Sequence, residues 1–179
     1  PACPRRAGDA GCGAGPAGPA TPRGPKVSAP IGIVIGQTIG AETYAAGNSS
    51  AGGQGQTVDG VACDASVPVQ HIHVHLTLIA DGVQHAIPLA IGTKGAEVIN
   101  GGFVVDAQCF YWLHTHDASG IVHIESPNAT ARNLGQFFAI WGEPLTRSNI
   151  GGFQGAVTAY VDSTKYDGDL ASLTFAERQ

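Results

Sequence analysis

All seven histidines fall between positions 71 and 123: His71, His73, His75, His85, His114, His116 and His123. Imidazole binds divalent metals through a ring nitrogen, and it titrates near neutral pH. In His71-Ile72-His73-Val74-His75-Leu76 the residue types alternate strictly. On a β-strand the three imidazoles share one face, and Ile72, Val74 and Leu76 share the other. Same-face neighbours stand about 6.5–7 Å apart. A metal–nitrogen bond is about 2 Å, so an adjacent pair can reach one ion. His71 and His75, about 13 Å apart, cannot share it. This strand is therefore expected to offer His73 or His75, with His71 in a supporting place. A solvated His-rich face is the alternative.

The second cluster is Leu113-His114-Thr115-His116-Asp117-Ala118-Ser119-Gly120-Ile121-Val122-His123-Ile124-Glu125. A two-residue loop and a four-residue loop give the same hairpin register. His116 then opposes Ile121, His114 opposes His123, and Trp112 opposes Glu125. Directly opposed residues lie about 4.5–5.5 Å apart at Cα. His114, His116, His123 and Glu125 project from one face. Tyr111, Leu113, Thr115, Val122 and Ile124 project from the other, which reads as core. A slip of one residue would part His114 from His123 across the sheet.

Imidazoles with a carboxylate suit Zn(II) or Cu(II). The chain contains no Met, so a thioether-based Cu(I) carrier is not expected. The expected ligands are His114, His116 and His123, with His73 or His75 from the neighbouring strand. His71, Asp117 and Glu125 support them. His85 stands outside this set. Two other readings stay open. One is a non-catalytic structural or surface-interaction domain whose histidines form a polar network. The other is a small metal-dependent enzyme, with Glu125 or Asp117 as general base beside an open coordination position. Catalysis is the less expected of the two outcomes, and no organic cofactor is implied. No Gly-x-Ser-x-Gly and no phosphate-binding loop occurs.

These residues need β-ribbons to hold them. Val69–Ile79 is the strongest strand pattern, followed by Asp81-Gly82 and Val83–Leu89, a hairpin signal. Phe103–Val105 is a weaker strand. Phe110–His116 and Ile121–Ser126 flank Asp117–Gly120. Leu134, Phe137, Phe138 and Trp141 recur at helical spacing. Asn133 and Gln136 make a capping box, and Gly142 and Pro144 end the helix. Ala156–Val161 returns to strand, and Leu170–Phe175 is expected as a last one. Residues 45–60 read as a long loop. The fold class is α+β and β-dominated, with antiparallel sheets built from hairpins and one short helix at about 134–141 packed on them.

The chain has 179 residues, 43% hydrophobic and only 13% charged, which fits one domain and a tail. Residues 1–30 hold 7 Pro, 6 Gly and 7 Ala. Such a segment cannot bury enough surface to offset its ordering entropy, so it reads as a disordered tail before a single domain at 31–179. Arg5, Arg6, Arg23 and Lys26 face Asp9 alone there, and the remainder is acidic. An acidic body with few cations is a poor nucleic-acid partner. No apolar run approaches the ~20 residues of a membrane span. Cys63 and Cys109 are expected as a disulfide of an exported protein, against two buried free thiols. Cys3 and Cys12 could pair or stay free. The absence of Met at position 1 reads as a processed form.

Three stretches carry a resemblance. They are His71–Leu76, Leu113–Pro127 with its Leu-His-Thr-His-Asp element at Leu113–Asp117, and Leu134–Gly142. Together the chain resembles a family of exported bacterial proteins without an assigned activity, over roughly residues 69–162. The resemblance implies a periplasmic, secreted or surface-associated protein and supplies no reaction. It also implies a longer final strand than Leu170–Phe175 provides. Cys3 would permit a lipid-anchored form.

Overall fold

Short strands joined by tight turns account for most of the ordered framework. The computed structural model describes residues 34–65, 68–99 and 102–177. The expected tail at 1–30, with Cys3 and Cys12, lies outside the described residues.

Chain order begins with β1 (Cys63–Asp64), β2 (Gln70–His75), β3 (Leu78–Ala80) and β4 (Val83–His85). Next come β5 (Thr93–Lys94), β6 (Glu97–Ile99), β7 (Phe103–Asp106), β8 (Cys109–Tyr111), β9 (Leu113–His114) and β10 (Ile121–Ser126). The helix α1 (Leu134–Trp141) follows. Then β11 (Leu145–Thr146), β12 (Asn149–Ile150), β13 (Phe153–Gln154), β14 (Ala159–Val161) and β15 (Thr164–Tyr166) close the series. All strand pairs are antiparallel. The protein is thus α+β and β-dominated, with one short helix among the described residues.

The sheet that carries most of the histidines has the order β2-β10-β9. Its centre is β10, in which residues alternate between the core and the His face. Val122 and Ile124 are buried, and so are Val74 of β2 and Leu113 of β9. Shifting either neighbour by one residue would turn this apolar set into solvent, so burial fixes the register. His123 lies opposite both His73 and His114, and Glu125 lies opposite His71. The expected hairpin register at 114 and 123 is the observed one. Its loop is closed by Asp117, whose Oδ1 accepts from Ser119 N at 3.0 Å and from Ser119 Oγ at 2.5 Å. Gly120 has φ +91°, where an added Cβ would run into the Leu76 carbonyl.

The expected Val69–Ile79 strand is broken. Leu76 N donates to Gly120 O at 2.8 Å, and the chain then leaves the sheet. Of this stretch only the β2 part pairs with β10. The continuation β3 pairs with β4 across Asp81 and Gly82, both in left-handed conformation (φ 51° and 77°), as a two-residue type I′ turn requires. The Phe110–His116 stretch also divides. Its first part, β8, lies between β1 and β5, while β9 joins β10. In both places a single sequence run serves two sheets.

The helix is as expected. Asn133 Oδ1 accepts from Gln136 N at 2.9 Å, Gln136 Oε1 accepts from Asn133 N at 3.2 Å, and Gly142 ends the helix in the left-handed region. Leu134, Phe137, Phe138, Ile140 and Trp141 are buried. They pack with Val122, Ile124, Leu113 and Tyr111 in one core beneath the β2-β10-β9 sheet. The expected final strand at Leu170–Phe175 is a turn carrying one isolated bridge, Asn133 to Thr174. Its carbonyls serve the helix start instead. Leu134 N donates to Leu173 O at 2.9 Å and Gly135 N to Ala171 O at 3.1 Å, filling two of the donors a helix N-terminus leaves open.

Cys63 and Cys109 form a disulfide across β1 and β8.

Candidate metal centre

The pairing of β2 with β10 brings both histidine clusters onto one sheet face. Rings of His73 and His123 lie 4.4 Å apart between centroids, those of His116 and His123 4.5 Å, and those of His114 and His116 4.8 Å. Exposure grades across the patch. The His71 side chain is 49% exposed, Glu125 25%, His123 17% and His114 1%. Part of the face is roofed by β7 and β8. Phe103 stacks on His116 with centroids 4.9 Å apart and planes 13° from parallel, and Phe110 lies against His114 at 4.9 Å.

Two groups have donor atoms close enough to hold one ion. In His114, His116, His123 and Glu125 the candidate atoms all lie within 4.8 Å of one another, and the same holds for His71, His73 and His123. His123 belongs to both. Glu125 Oε1 is the point of contact, 3.1 Å from His71 Nε2, 3.3 Å from His123 Nδ1 and 3.8 Å from His114 Nε2.

Backbone carbonyls set the rings of the inner pair. His114 Nδ1 lies 2.9 Å from Tyr111 O, and His116 Nδ1 lies 2.6 Å from Val104 O. A carbonyl can only accept, so each Nδ1 carries the proton. In the neutral rings each Nε2 then presents a bare lone pair. These two atoms face each other at 3.1 Å. Nitrogen ligands on one tetrahedral ion with bonds of about 2.05 Å stand about 3.3 Å apart. A carbonyl behind the far nitrogen is the usual outer support of a ligating histidine.

A proton on the His114 ring is disfavoured. Burial, followed by the neighbouring His116, pushes the His114 imidazole down to about 3. His123 is also lowered, chiefly by burial, although Glu125 pulls the other way. His73 is lowered by burial and then by His123 and His71, with Glu177 and Glu125 opposing. The hydrogen bond to His123 is the main cause holding the Glu125 carboxyl down to about 2. Lowered His73, His114 and His123 beside a lowered Glu125 favour uncharged rings next to an anionic carboxylate, the protonation state a cation needs.

The remaining expected residues lie elsewhere. His75 shares the His face but turns away, its Nε2 2.9 Å from Ser119 O and its Nδ1 3.4 Å from Thr77 Oγ1. It opposes Ile121 near the end of the sheet, so no ligand faces it. Asp117 is spent on the turn and on Gly36 N, which donates to its Oδ2 at 3.1 Å. Both of its carboxylate oxygens thus accept hydrogen bonds. His85 bonds Thr43 and lies against Phe153, and it belongs to neither donor group. Sequence reasoning gave no sign of Phe103, Phe110 or the Val104 and Tyr111 carbonyls. Aromatic and backbone neighbours carry no spacing signature when they come from other strands.

A cavity of about 230 Å³ opens beside His114 and Glu125, walled by Asp64, Asp106, Phe110 and Trp112. Trp112 Nε1 donates to Asp64 Oδ2 at 3.1 Å, and the Arg132 guanidinium covers the indole at 4.6 Å. A larger surface hollow of about 490 Å³ beside Asn133 and Glu143 contains no imidazole and lies apart from this chemistry.

Neither the protein-family models, nor the curated proteins, nor the solved structures compared with this chain include a match.

Proposed function

We propose that this chain is an exported bacterial protein that binds a divalent cation, Zn(II) or Cu(II), through His114, His116, His123 and Glu125. The observation that carries the reading is the inner pair of nitrogens. Two Nε2 lone pairs meet at 3.1 Å while both Nδ1 atoms are engaged by carbonyls. With neither a cation nor a proton between them the two lone pairs repel, and burial of His114 disfavours a proton on that ring. An ion on both nitrogens removes the conflict, and His123 and Glu125 complete four donors. The set has no sulfur and no thioether, which favours Zn(II) or Cu(II) over Cu(I).

Export is supported by the Cys63–Cys109 disulfide, a bond that persists in oxidising compartments. It is also supported by the resemblance carried by His71–Leu76, Leu113–Pro127 and Leu134–Gly142. No helix among the described residues is long and apolar enough to cross a membrane.

The cavity beside His114 and Glu125 favours a second reading, a metal-dependent enzyme. Four protein donors fill a tetrahedral ion, however, and a catalytic ion keeps a position open. Binding is therefore the preferred function. Zinc titration of untagged, metal-free protein tests it, with imidazole NMR shifts as the readout. His114, His116 and His123 should move together and saturate at stoichiometric zinc. If their signals stay in place, the cluster is a polar network and the proposal fails.

A further inference from the structure

Six side chains crowd one patch, which is more than one four-coordinate ion can use. Removing the inner ligands leaves His71 and His73. Their rings lie 4.6 Å apart, and their donor atoms fall within 4.8 Å of one another and of His123. Imidazole has two nitrogens on different edges of its ring, and both can ligate once the N–H proton is lost. His123 lies between the two groups, opposite His73 on one side and His114 on the other.

Resting on the reading above, we infer that the patch holds two divalent ions: an inner one on His114, His116, His123 and Glu125, and an outer one on His71, His73 and His123. The shared His123 ring releases its N–H proton to solvent and offers one nitrogen to each ion. Protein supplies three donors to the outer ion, and the solvent side of His71 leaves room for water as a fourth. Negative charge is present to offset the added cation. Glu125 Oε1 lies 3.1 Å from His71 Nε2, and the Glu177 carboxylate acts electrostatically on His73. The order of filling follows from exposure. The inner set, which is less exposed than the outer, loses least to water competition and fills first, and the outer position takes the second equivalent.

Equilibrium dialysis of the untagged full chain against Zn(II), with native mass spectrometry, tests the inference. The wild type should bind two ions. His71→Ala with His73→Ala should bind one, and so should His71→Asn with His73→Asn, which keeps polar side chains at the surface. His123→Ala should lose more than the outer pair does, because it breaks both positions. One ion in the wild type, or two retained in both double variants, overturns the second position and leaves the inner one standing. One ion that disappears in His114→Ala identifies that inner position by itself. No zinc bound to the wild type overturns both readings.

Discussion

Replacing His116 by Ala separates the structural contribution of one ring from its proposed part in metal binding. In the metal-free protein the change removes the 2.6 Å bond from Nδ1 to Val104 O and the stack on Phe103. A hydrogen bond is worth about 1 kcal/mol net, and an aromatic pair about 0.5–1.5 kcal/mol. Loss of the Nε2 conflict with His114 offsets part of this, so the metal-free variant should lose about 1–2 kcal/mol or less. The metal term is larger. Four-ligand zinc sites gain roughly 10–16 kcal/mol, or about 2.5–4 kcal/mol per ligand, so one missing ligand weakens binding on the order of 100-fold or more. At free zinc 100 times the wild-type Kd, the wild type gains about 2.7 kcal/mol, and a variant 100-fold weaker gains about 0.4 kcal/mol. With about 4 °C per kcal/mol for a domain of this size, zinc should raise the wild-type Tm by roughly 10 °C and the variant by roughly 2 °C. Thermal melts with and without zinc provide the assay. Equal zinc shifts in the two proteins would refute the inner ligand set, whatever their metal-free Tm values.

Acid should destabilise the metal-free protein in two steps, followed as Tm against pH. His114 is held down to about 3 and His73 and His123 are lowered, so the unfolded chain takes up their protons first. Stability is full above pH ~6.5 and falls as pH drops from there toward the folded values. The Glu125 carboxylate, held down to about 2, adds stability above pH ~4.5 that is lost as pH falls through that folded value. A flat Tm between pH 7 and 5 would contradict the burial of neutral His114. His75→Ala should leave zinc affinity within about 3-fold, while losing the Ser119 bond costs about 1 kcal/mol in urea unfolding. Asp117→Ala should cost about 2–3 kcal/mol, because three donors lose their acceptor, and zinc stoichiometry should not change. Replacing Cys63 and Cys109 with Ser should cost about 3–4 kcal/mol on the chain-entropy account, read by denaturant midpoint.

Much of the candidate site's geometry is legible in the sequence. Period-two alternation placed His71, His73 and His75 on one strand face, and the short Asp117–Gly120 loop set His114 against His123. The apolar residues between them sealed that register, since any slip would expose Val122 and Ile124. The helix was equally plain, because its cap and stop residues act locally. Misreadings fell where pairing outweighed local pattern. Val69–Ile79 looks like one strand until Leu76 bonds Gly120 and the chain changes sheets. Leu170–Phe175 has strand-like residues, but its carbonyls are taken by the start of α1.

From its sequence alone, this protein determined which imidazoles share a face, because side-chain direction in a strand depends only on residue parity. Only the tertiary structure decided that β2 lies against β10, so that His73 and His71 meet His123 and Glu125 across residues far apart in the chain. It alone decided that His75 turns aside to Ser119, and that Val104 and Tyr111 supply the carbonyls that aim the inner rings. Ligand direction depends on what stands behind each ring, and those neighbours arrive from other strands.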